Sequence, residues 1–187
     1  MNTLNLPNKL AFIDTETTGL KPGKSRIIDI GIILVEDSKV IDTFESLVNP
    51  LEPVSSFIQQ YTGISQSELD FAPSFRQIHE QILSLLADYT LVAHNASFDI
   101  GMLQGEFNFL KMPWQQPYFC TVRLSRLLYP ELGHHNLDMI INNFKISCLN
   151  RHRAMGDAQV IWDFYQQVVS EHSAERLSEI LNKIIKI

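Results

Sequence analysis

The segment Phe12-Ile13-Asp14-Thr15-Glu16-Thr17-Thr18-Gly19 decides the fold predicted for this chain. Apolar residues lead into it from Leu10, and the pattern predicts a first β-strand over 10–16. Side chains two positions apart in a strand share a face, so Asp14 and Glu16 project side by side, about 6.5 Å apart along the strand. Two carboxylates at the end of a buried strand need a shared proton, a basic partner or a bound cation. A turn beginning at the strand end is the simpler alternative.

The composition is typical of one globular domain over residues 1–187, with 45% hydrophobic and 19% charged residues. Its core is expected over about 8–170, followed by an amphipathic helix over about 174–187. The two cysteines lack metal-site spacing and suggest no disulfide framework, so a reducing, cytoplasmic location is expected. No signal peptide is predicted, and the longest apolar-rich run, 27–35, is too short to span a bilayer.

Hydrophobic periodicity predicts an α/β fold that opens with a three-stranded meander and continues with alternating strands and helices, which indicates a mixed sheet. The predicted strands are 10–16, 26–36, 40–48, 90–93 and 118–121. The predicted helices are 55–61, 65–69, one opened by Pro73, 98–109 with Ser97 as its N-cap, 122–128, 137–143, one entered through 151–156, and 174–187.

Two further acidic residues fall on helix faces that should be buried. Asp99 shares a helix face with Met102 and Leu103, and Asp157 lies on the same apolar stripe as Val160. Unpaired buried carboxylates are expensive. A single explanation is that these acids and the pair on the first strand meet around divalent cations, since hard oxygen ligands suit Mg²⁺ or Mn²⁺. Helix capping and pairing with a nearby arginine are the alternatives.

His152 lies five residues before Asp157, in the loop that enters the same helix. An unperturbed pKa near 6.5 leaves a histidine mostly neutral at cytoplasmic pH, so it can accept a proton. A histidine beside a metal-bound acid is therefore a candidate general base. The alternative is an ordinary surface or hydrogen-bonded residue, since the chain has six histidines.

Three motifs resemble those of the DEDDh (DnaQ-like) exonuclease family, in the family's order. They are Asp-Thr-Glu-Thr-Thr-Gly at 14–19, His-Asn-Ala-Ser-Phe-Asp at 94–99 and His-Arg-Ala-Met-Gly-Asp at 152–157. The likeness spans about residues 8–170 and is strongest to the exonuclease domain of the proofreading epsilon subunit of bacterial DNA polymerase III. It also includes Arg26-Ile27-Ile28-Asp29-Ile30-Gly31, Thr62-Gly63-Ile64 and Leu137-Asp138.

The resemblance implies an RNase H-like fold, with a mixed five-stranded sheet flanked by helices, and 3′→5′ exonucleolysis with two divalent metal ions, Mg²⁺ or Mn²⁺. It implies that Asp14, Glu16 and Asp157 hold one ion, with Asp14 bridging, and that Asp99 helps to hold the second. It further implies that His152 deprotonates the attacking water. The chemistry derived from the residues agrees with these roles.

The resemblance also implies a binding site for the 3′ end of the substrate. The backbone around three threonines would hold the terminal sugar, and apolar contacts would flank the terminal base. The implied residues are Thr15, Thr17, Thr18, Gly63, Ile64, His94, Asn95 and Phe98. For Ile64 and Phe98 the alternative is core packing, and for His94 and Asn95 it is the satisfaction of a turn.

The net charge of −6 constrains the partners, because wide phosphate binding normally needs a basic face. We expect weak unassisted affinity for long DNA, and action on single-stranded or frayed 3′ ends or delivery by a DNA polymerase or repair partner. No membrane partner is expected, and self-association is left open. The C-terminal helix is expected to dock on its own core rather than on another chain. A modest basic rim is expected from Lys21, Lys24, Arg26, Lys111, Arg123, Arg126, Arg151 and Arg153.

The expected function is a 3′→5′ exonuclease that acts on DNA in proofreading or repair. An RNA-trimming or short-oligonucleotide ribonuclease is an open alternative, because the histidine motif serves both kinds of enzyme. A phosphatase with an aspartyl nucleophile would need Asp in place of Glu16 and leaves His152 unexplained. A non-catalytic nucleic-acid-binding module predicts the loss of at least one of the five motif residues, and none is missing.

Overall fold

A computed structural model describes residues 6–187, which form a five-stranded sheet with eight helices. The strands are β1 (Lys9–Thr17), β2 (Ile27–Glu36), β3 (Lys39–Leu47), β4 (Thr90–Ala93) and β5 (Tyr118–Cys120). Their order in the sheet is β3-β2-β1-β4-β5. The first three strands form an antiparallel meander, whereas β4 runs parallel to β1 and β5 runs parallel to β4. The predicted mixed five-stranded sheet is confirmed.

Every predicted helix is present, with ends shifted by a few residues. The helices are α1 (Ser56–Thr62), α2 (Gln66–Phe71), α3 (Phe75–Leu86), α4 (Ser97–Phe109), α5 (Thr121–Leu128), α6 (Leu137–Phe144), α7 (Ala154–Glu171) and α8 (Ala174–Ile184). Within residues 6–187, no helix combines the length and the apolar character needed to cross a membrane.

Two apolar cores lie on the two faces of the sheet. On one face, the ring of Phe12 in β1 lies 5.0 Å from the ring of Trp162 and 5.4 Å from that of Tyr165, both on α7. On the other face, α3 and α4 meet where Phe75 and Phe107 pack edge to face at 5.2 Å. Successive residues of a strand face opposite sides, so the apolar run of β1 contributes to both cores.

A close backbone approach sets α7 against β2. Gly31 lies opposite Asp14 in the sheet, and a Cβ at Gly31 would come within 2.5 Å of the Ala154 backbone. Two residues earlier, the fully buried Asp29 accepts hydrogen bonds from Arg153 Nε at 2.8 Å and from the Ala154 amide at 3.2 Å. These contacts hold the start of α7 beside the ends of β1 and β2.

Two of the predicted helix starts are wrong. Ser97 is the first residue of α4 and not its N-cap; Ala96 occupies that position and offers no side-chain oxygen. Pro73 stands outside α3, whose N-cap is Ser74, and the Gln77 side chain accepts from the Ser74 amide at 2.8 Å. Several residues within one turn can cap a helix, and the local sequence does not choose among them.

The C-terminal helix packs on its own core, as predicted, but it is shorter than predicted. Leu177 and Ile180 are buried, and α8 ends at Ile184. Beyond it, Lys186 pairs with Tyr118 of β5 through two backbone hydrogen bonds of 2.8 Å. The last residues therefore extend the edge of the sheet instead of the helix.

Candidate active site

The first two acidic residues lie at the end of β1, on the face covered by α7. Both Asp14 and Glu16 are partly buried, and Glu16 lies opposite Asp29 of β2. The pairing register shifts between Glu16 and Thr17. Such irregularities re-aim side chains and end regular pairing. Two carboxylates therefore lie on one side of β1 at the point where its regular pairing with β2 ends.

Three of the predicted residues come together tightly. Glu16, His152 and Asp157 each offer a ligand atom, and these atoms lie within 4.8 Å of one another. Asp157, which is 3% exposed, lies in the first turn of α7. Asp14 lies outside this set but near it: burial, and then the charges of Asp99 and Asp157, raise the pKa of Asp14 well above its usual range.

Asp99 approaches the end of β1 from α4, on the opposite face of the sheet. Its Oδ1 accepts hydrogen bonds from the Thr15 amide at 3.1 Å and from the Thr15 hydroxyl at 2.9 Å. Burial raises the pKa of Asp99 to about 7, although the bonds from Thr15 act against this. Asp99 is thus fixed to the strand between Asp14 and Glu16, and four carboxylates surround one end of β1.

Burial and mutual repulsion favour the protonated forms of these acids. Burial, and then the charge of Asp157, raise the pKa of Glu16 to about 7. Burial raises the pKa of Asp157 to about 6, although the charge of Arg151 lowers it. A divalent cation would reverse this, because a nearby positive charge favours the ionised form of a carboxyl group.

Arg151 supplies a cation to this cluster, and the sequence predicted it only as part of a basic rim. Its Nη1 donates to Oδ2 of Asp157, and its Nε donates to Asp138 at 2.8 Å. Oδ1 of Asp157, in contrast, is buried with no hydrogen-bond partner in the described part of the chain. An unpartnered carboxylate oxygen beside Glu16 suits a hard cation. The residues therefore fit a divalent metal ion.

His152 occupies an unusual backbone position at the edge of the cluster. Its φ of 64° lies in the left-handed region, and its ring centroid lies 4.2 Å from that of Tyr61 on α1. Burial, and then the charge of Arg151, lower the pKa of His152 below its ordinary value. The imidazole is therefore neutral at pH 7 and able to accept a proton.

Tyr61 is a neighbour of the site that sequence reasoning missed. It is half exposed and stacks on Phe57, one helical turn earlier, at a ring distance of 6.1 Å. The only signal in the sequence is this pair of aromatic residues four positions apart on a short helix. Such a pair is more often a packing contact, so its place beside His152 could not be foreseen.

The three threonines of the first motif serve the fold through their side chains. Thr15 is bonded to α4, as described above. Thr17 donates from its hydroxyl to the Gly19 carbonyl at 2.7 Å, and the Thr18 hydroxyl accepts from the Arg26 amide at 3.0 Å. Their hydroxyls are thus engaged, and the amides of Thr15 and Thr18 also donate within the fold, to Asp99 and to the Arg26 carbonyl.

Gly63 and Ile64 differ in what they present to a ligand. Gly63 ends α1 in the left-handed conformation, at φ 73°. Ile64 is only 1% exposed and packs with Ile28, Val54 and Leu69 in a small core of its own. The structure therefore supports the core-packing alternative for the Ile64 side chain.

The loop after β4 separates the roles of three predicted residues. His94 Nδ1 lies 2.9 Å from the Thr121 hydroxyl, and burial lowers the pKa of His94 to about 4. Asn95 is exposed and has a left-handed φ of 67°. Its carbonyl accepts a hydrogen bond from the Phe98 amide at 2.9 Å. Phe98 is half buried against the core between the sheet and α4. Asn95 is thus a turn residue with an accessible side chain, and His94 is a half-buried, neutral one.

The predicted basic rim is reduced by ion pairs. Arg26 pairs with Glu106 at 2.7 Å, and Arg153 pairs with Asp29 at 2.8 Å. Arg151 is held by two aspartates, as described above. Three of the eight expected cations are therefore used inside the fold, where they cannot bind phosphate without breaking a pair.

Comparison of the sequence with known proteins gives consistent matches. The profile of the RNase_T (exonuclease) family matches residues 11–165. The PolC-type DNA polymerase III of Caldanaerobacter subterraneus is 34% identical over 176 residues, which cover 94% of this chain and 12% of that protein. The PolC-type DNA polymerase III of Bacillus subtilis is 36% identical over 148 residues, or 78% of this chain and 10% of that protein. The chain thus spans about a tenth of the length of these relatives.

Solved structures share the fold. Exonuclease I of E. coli in complex with a dT13 oligonucleotide has a TM-score of 0.82 at 20% identity, covering 94% of this chain and 43% of the other. Exonuclease X in complex with 5′ overhanging duplex DNA has a TM-score of 0.66 at 25% identity, covering 91% of this chain and 98% of the other. The nuclease domain of 3′hExo, a DEDDh family member bound to rAMP, has a TM-score of 0.76 at 18% identity, covering 90% of this chain and 94% of the other. The predicted RNase H-like fold is confirmed.

Proposed function

This chain belongs to the RNase_T family of exonucleases, and we propose that it hydrolyses phosphodiester bonds from the 3′ end of DNA, in proofreading or repair. The exonuclease class predicted from the three motifs is confirmed by this membership. One observation carries the site assignment: Glu16, His152 and Asp157 converge within 4.8 Å, and one oxygen of Asp157 is buried without a partner. The PolC-type relatives support DNA as the substrate.

We propose that Asp14, Glu16 and Asp157 hold one Mg²⁺ or Mn²⁺ ion and that Asp99 contributes to a second. The four carboxylates surround one end of β1, and burial of Asp157 with an unpartnered oxygen supports the assignment. When bound, the two ions would neutralise the acids and the phosphate and stabilise charge on the entering and leaving oxygens of an in-line displacement. Asp99, held by Thr15, keeps a fixed position relative to the strand.

His152 is proposed to take the proton of the attacking water. Its lowered pKa leaves the imidazole neutral, and Tyr61 contacts its ring, restricting the ring's orientation. The water oxygen attacks the phosphorus, the proton passes to His152, and the bond from phosphorus to the 3′ oxygen of the preceding nucleotide breaks. A 5′-mononucleotide leaves, and the 3′ oxygen of the shortened strand takes a proton from solvent water to become its new 3′ hydroxyl. Proton transfer of this kind contributes about 10²- to 10⁴-fold to a rate.

The terminal nucleotide is proposed to rest on the backbone of Thr15, Thr17 and Thr18, whose engaged hydroxyls keep that backbone fixed. The half-buried Phe98 and the turn at Gly63 would flank its base. Contacts of this kind tolerate any base, as an exonuclease of broad specificity requires. The buried Ile64 and the half-buried His94 would support these surfaces, and Asn95 would contact the strand from its exposed turn.

A partner that delivers the 3′ end is part of the proposal. The net charge of −6 predicts weak unassisted binding to long DNA. The relatives are DNA polymerases of the PolC type, which supports a polymerase as that partner. Frayed or single-stranded ends are the proposed substrate, and short RNA is the second candidate because the nuclease domain of 3′hExo, which shares the fold, is bound to the ribonucleotide rAMP.

The test offers labelled single-stranded DNA, duplex DNA with mismatched 3′ ends, and RNA, each with Mg²⁺, Mn²⁺ or EDTA. We expect 5′-mononucleotides from the DNA ends with metal and none with EDTA. Asp14→Ala should abolish this release while the protein stays folded, and Lys39→Ala on β3 is the control that should retain it. Faster release from RNA than from DNA would reassign the substrate, and no release from any 3′ end would refute the proposal.

A further inference from the structure

A cavity of about 180 Å³ opens between β5, α5, the loop after β4 and the C-terminal segment. Three cations line it, together with two neutral polar residues and several apolar ones. We define the basic pocket by its polar residues, which are Arg123, Arg126, Lys186, Asn95 and Ser97. Donors of four kinds, namely guanidinium, ammonium, amide and hydroxyl groups, thus line one space, as is typical of an anion site.

The three cations of the basic pocket are not neutralised by the protein. Arg123, Arg126 and Lys186 are exposed, and within residues 6–187 none has an acidic partner within 4.0 Å. The arginines of the active-site loops, in contrast, are held in ion pairs. In a chain of net charge −6, three free cations around one cavity form a local positive field that attracts anions.

The backbone fixes the pocket from two separate segments. Arg123 and Arg126 lie three residues apart on α5 and therefore share a helix face. Lys186 is held beside them because its backbone makes two hydrogen bonds of 2.8 Å to Tyr118 of β5. Ile184, which is buried, anchors the same segment in the core. The cations converge from α5 and from the C-terminal segment, which distinguishes the pocket from a charged helix face.

The first turn of α4 contributes one residue to the basic pocket and another to the candidate active site. Ser97 lines the pocket and starts α4, and Asp99 lies two residues later, about 3 Å farther along the helix axis. Asp99 in turn is bonded to Thr15 at the end of β1. A nucleic-acid strand rises about 3.4 Å per nucleotide. Phosphates within a few nucleotides of a bound 3′ end are therefore within reach of the pocket.

We propose that the basic pocket binds a backbone phosphodiester of the nucleic-acid substrate, beyond the terminal nucleotide. The inference rests on the proposed exonuclease function and names a part of its substrate. It would give a protein of net charge −6 a local contact for a polyanion. The phosphodiester can belong to the cleaved strand or to the complementary strand, which have the same chemistry.

The test measures binding in EDTA, where no hydrolysis is expected, with a fluorescent single-stranded oligonucleotide and a duplex with a frayed 3′ end. The variants are Arg126→Gln and Lys186→Gln. The matched control is Lys39→Gln, which removes one exposed lysine from β3 at the opposite edge of the sheet. Each pocket variant should weaken binding about tenfold at low salt, the loss of one charge-assisted hydrogen bond. The salt slope should fall by about 0.7 per lost contact on a single strand.

The outcomes separate the two proposals. A loss on both probes assigns the phosphodiester to the cleaved strand, and a loss on the duplex alone assigns it to the complementary strand. Equal losses in Lys39→Gln and the pocket variants, or unchanged affinity and salt slope, would overturn the pocket. If binding depends on the pocket but Mg²⁺ gives no hydrolysis, the proposed function fails instead.

A second readout follows the length of the substrate. In wild-type protein and in Lys39→Gln, kcat/KM for the oligonucleotide should exceed that for a dinucleotide by the same factor. In Arg126→Gln this factor should fall about tenfold, because a dinucleotide is too short to occupy both sites. An unchanged factor in Arg126→Gln would contradict the proposal.

Discussion

Glu106 and Asp157 are buried acids on helices that cover the sheet, and each meets an arginine, yet their surroundings differ. Glu106 accepts from Arg26 Nε at 2.9 Å and from the Ile27 amide at 2.9 Å on one oxygen, and from Arg26 Nη2 at 2.7 Å on the other. Asp157 meets Arg151 on one oxygen and leaves the other unpartnered. An inward acid therefore predicts only that a partner is needed. Asp29, an anchor of α7, also has a buried oxygen without a partner, so what distinguishes Asp157 is that Glu16 and His152 offer ligand atoms within 4.8 Å of its own.

The Glu106 region fixes the loop that follows β1. Arg26 begins the return of the chain into β2, and its ion pair ties that point to α4. At the neighbouring Gly105, a Cβ would come within 2.8 Å of the Gly23 amide, so the loop lies directly on the helix. A satisfied acid thus holds two elements together, whereas Asp157 lies where three elements meet and leaves one position open.

Asp157→Asn should have the largest effect on activity. Loss of a proposed metal ligand should lower kcat/KM by more than the roughly 10- to 100-fold that loss of an outer-shell partner costs. The metal-free protein should remain folded, because the substitution removes a charge from a repelling cluster. Activity assays and thermal unfolding in EDTA check both points. Retained activity would remove Asp157 from the metal site.

Glu106→Ala should instead act on stability. Removal of one partner from a buried ion pair costs about 3–5 kcal/mol, and we expect the lower end because the Arg26 side chain is 19% exposed. Urea unfolding measures the loss, and the double variant with Arg26→Ala shows how much of it is the uncompensated charge. Mg²⁺ affinity of the folded protein should not change. A loss of Mg²⁺ affinity would erase the distinction between the two acids.

Arg151→Gln should change the metal response by a smaller amount. Without the guanidinium, Asp157 is free to bind a cation, so Mg²⁺ affinity should rise a few-fold, about 1 kcal/mol for a partly buried pair. The metal-free protein should be less stable, and the rise in Tm caused by Mg²⁺ should be larger.

Arg153→Gln is the matched control for this prediction. Its partner Asp29 anchors α7, so the variant should lose stability without a larger Mg²⁺ response. Differential scanning fluorimetry over a range of Mg²⁺ concentrations compares the two. A weaker Mg²⁺ response in Arg151→Gln than in wild-type protein would show that Arg151 supports the metal rather than competing with it.

The acid cluster should also make stability depend on pH. The pKa is raised to about 7 for Glu16 and for Asp99 and to about 6 for Asp157, above unfolded values near 4. Such groups bind protons more tightly when folded, so their stabilising contribution is complete below about pH 4 and is lost as the pH rises through about 6 to 7.

In EDTA, the free energy of unfolding should therefore fall between about pH 4 and pH 7. Mg²⁺ should reduce this fall because it favours the ionised carboxylates. In EDTA, the free energy of unfolding of Asp157→Asn should depend less on pH than that of the wild-type protein. Chemical unfolding at a series of pH values measures it. A profile in EDTA that is flat or rises over this range would contradict the raised pKa values.

The directions of the four acidic side chains could be predicted from the sequence, because the repeat of a strand or a helix determines which way each side chain points. Alternation along a strand puts Asp14 and Glu16 on one side, and helical spacing turns Asp99 and Asp157 inward. The structure confirms these directions. The same periodicity also turns Glu106 inward, and nothing local in the sequence shows that an arginine from a distant loop satisfies it.

Three features that the sequence left unsettled depend on contacts between distant segments. Ile64 is buried by residues from β2 and α2, and Tyr61 meets His152 from a helix far away in the chain. Lys186 leaves the predicted helix because β5 offers its free edge. Each outcome depends on which distant segment packs against the residue in the folded chain. Hydrophobic periodicity gives no information on such contacts.

The backbone angle of His152 sets stability against activity at a single residue. A non-glycine residue in the left-handed region costs on the order of 1–2 kcal/mol, and His152 has a φ of 64°. His152→Gly should therefore give a more stable protein that has lost its proposed base. Glycine would relieve the angle at this position but lose the base, so the proposed chemistry is kept at the expense of an unfavourable backbone angle.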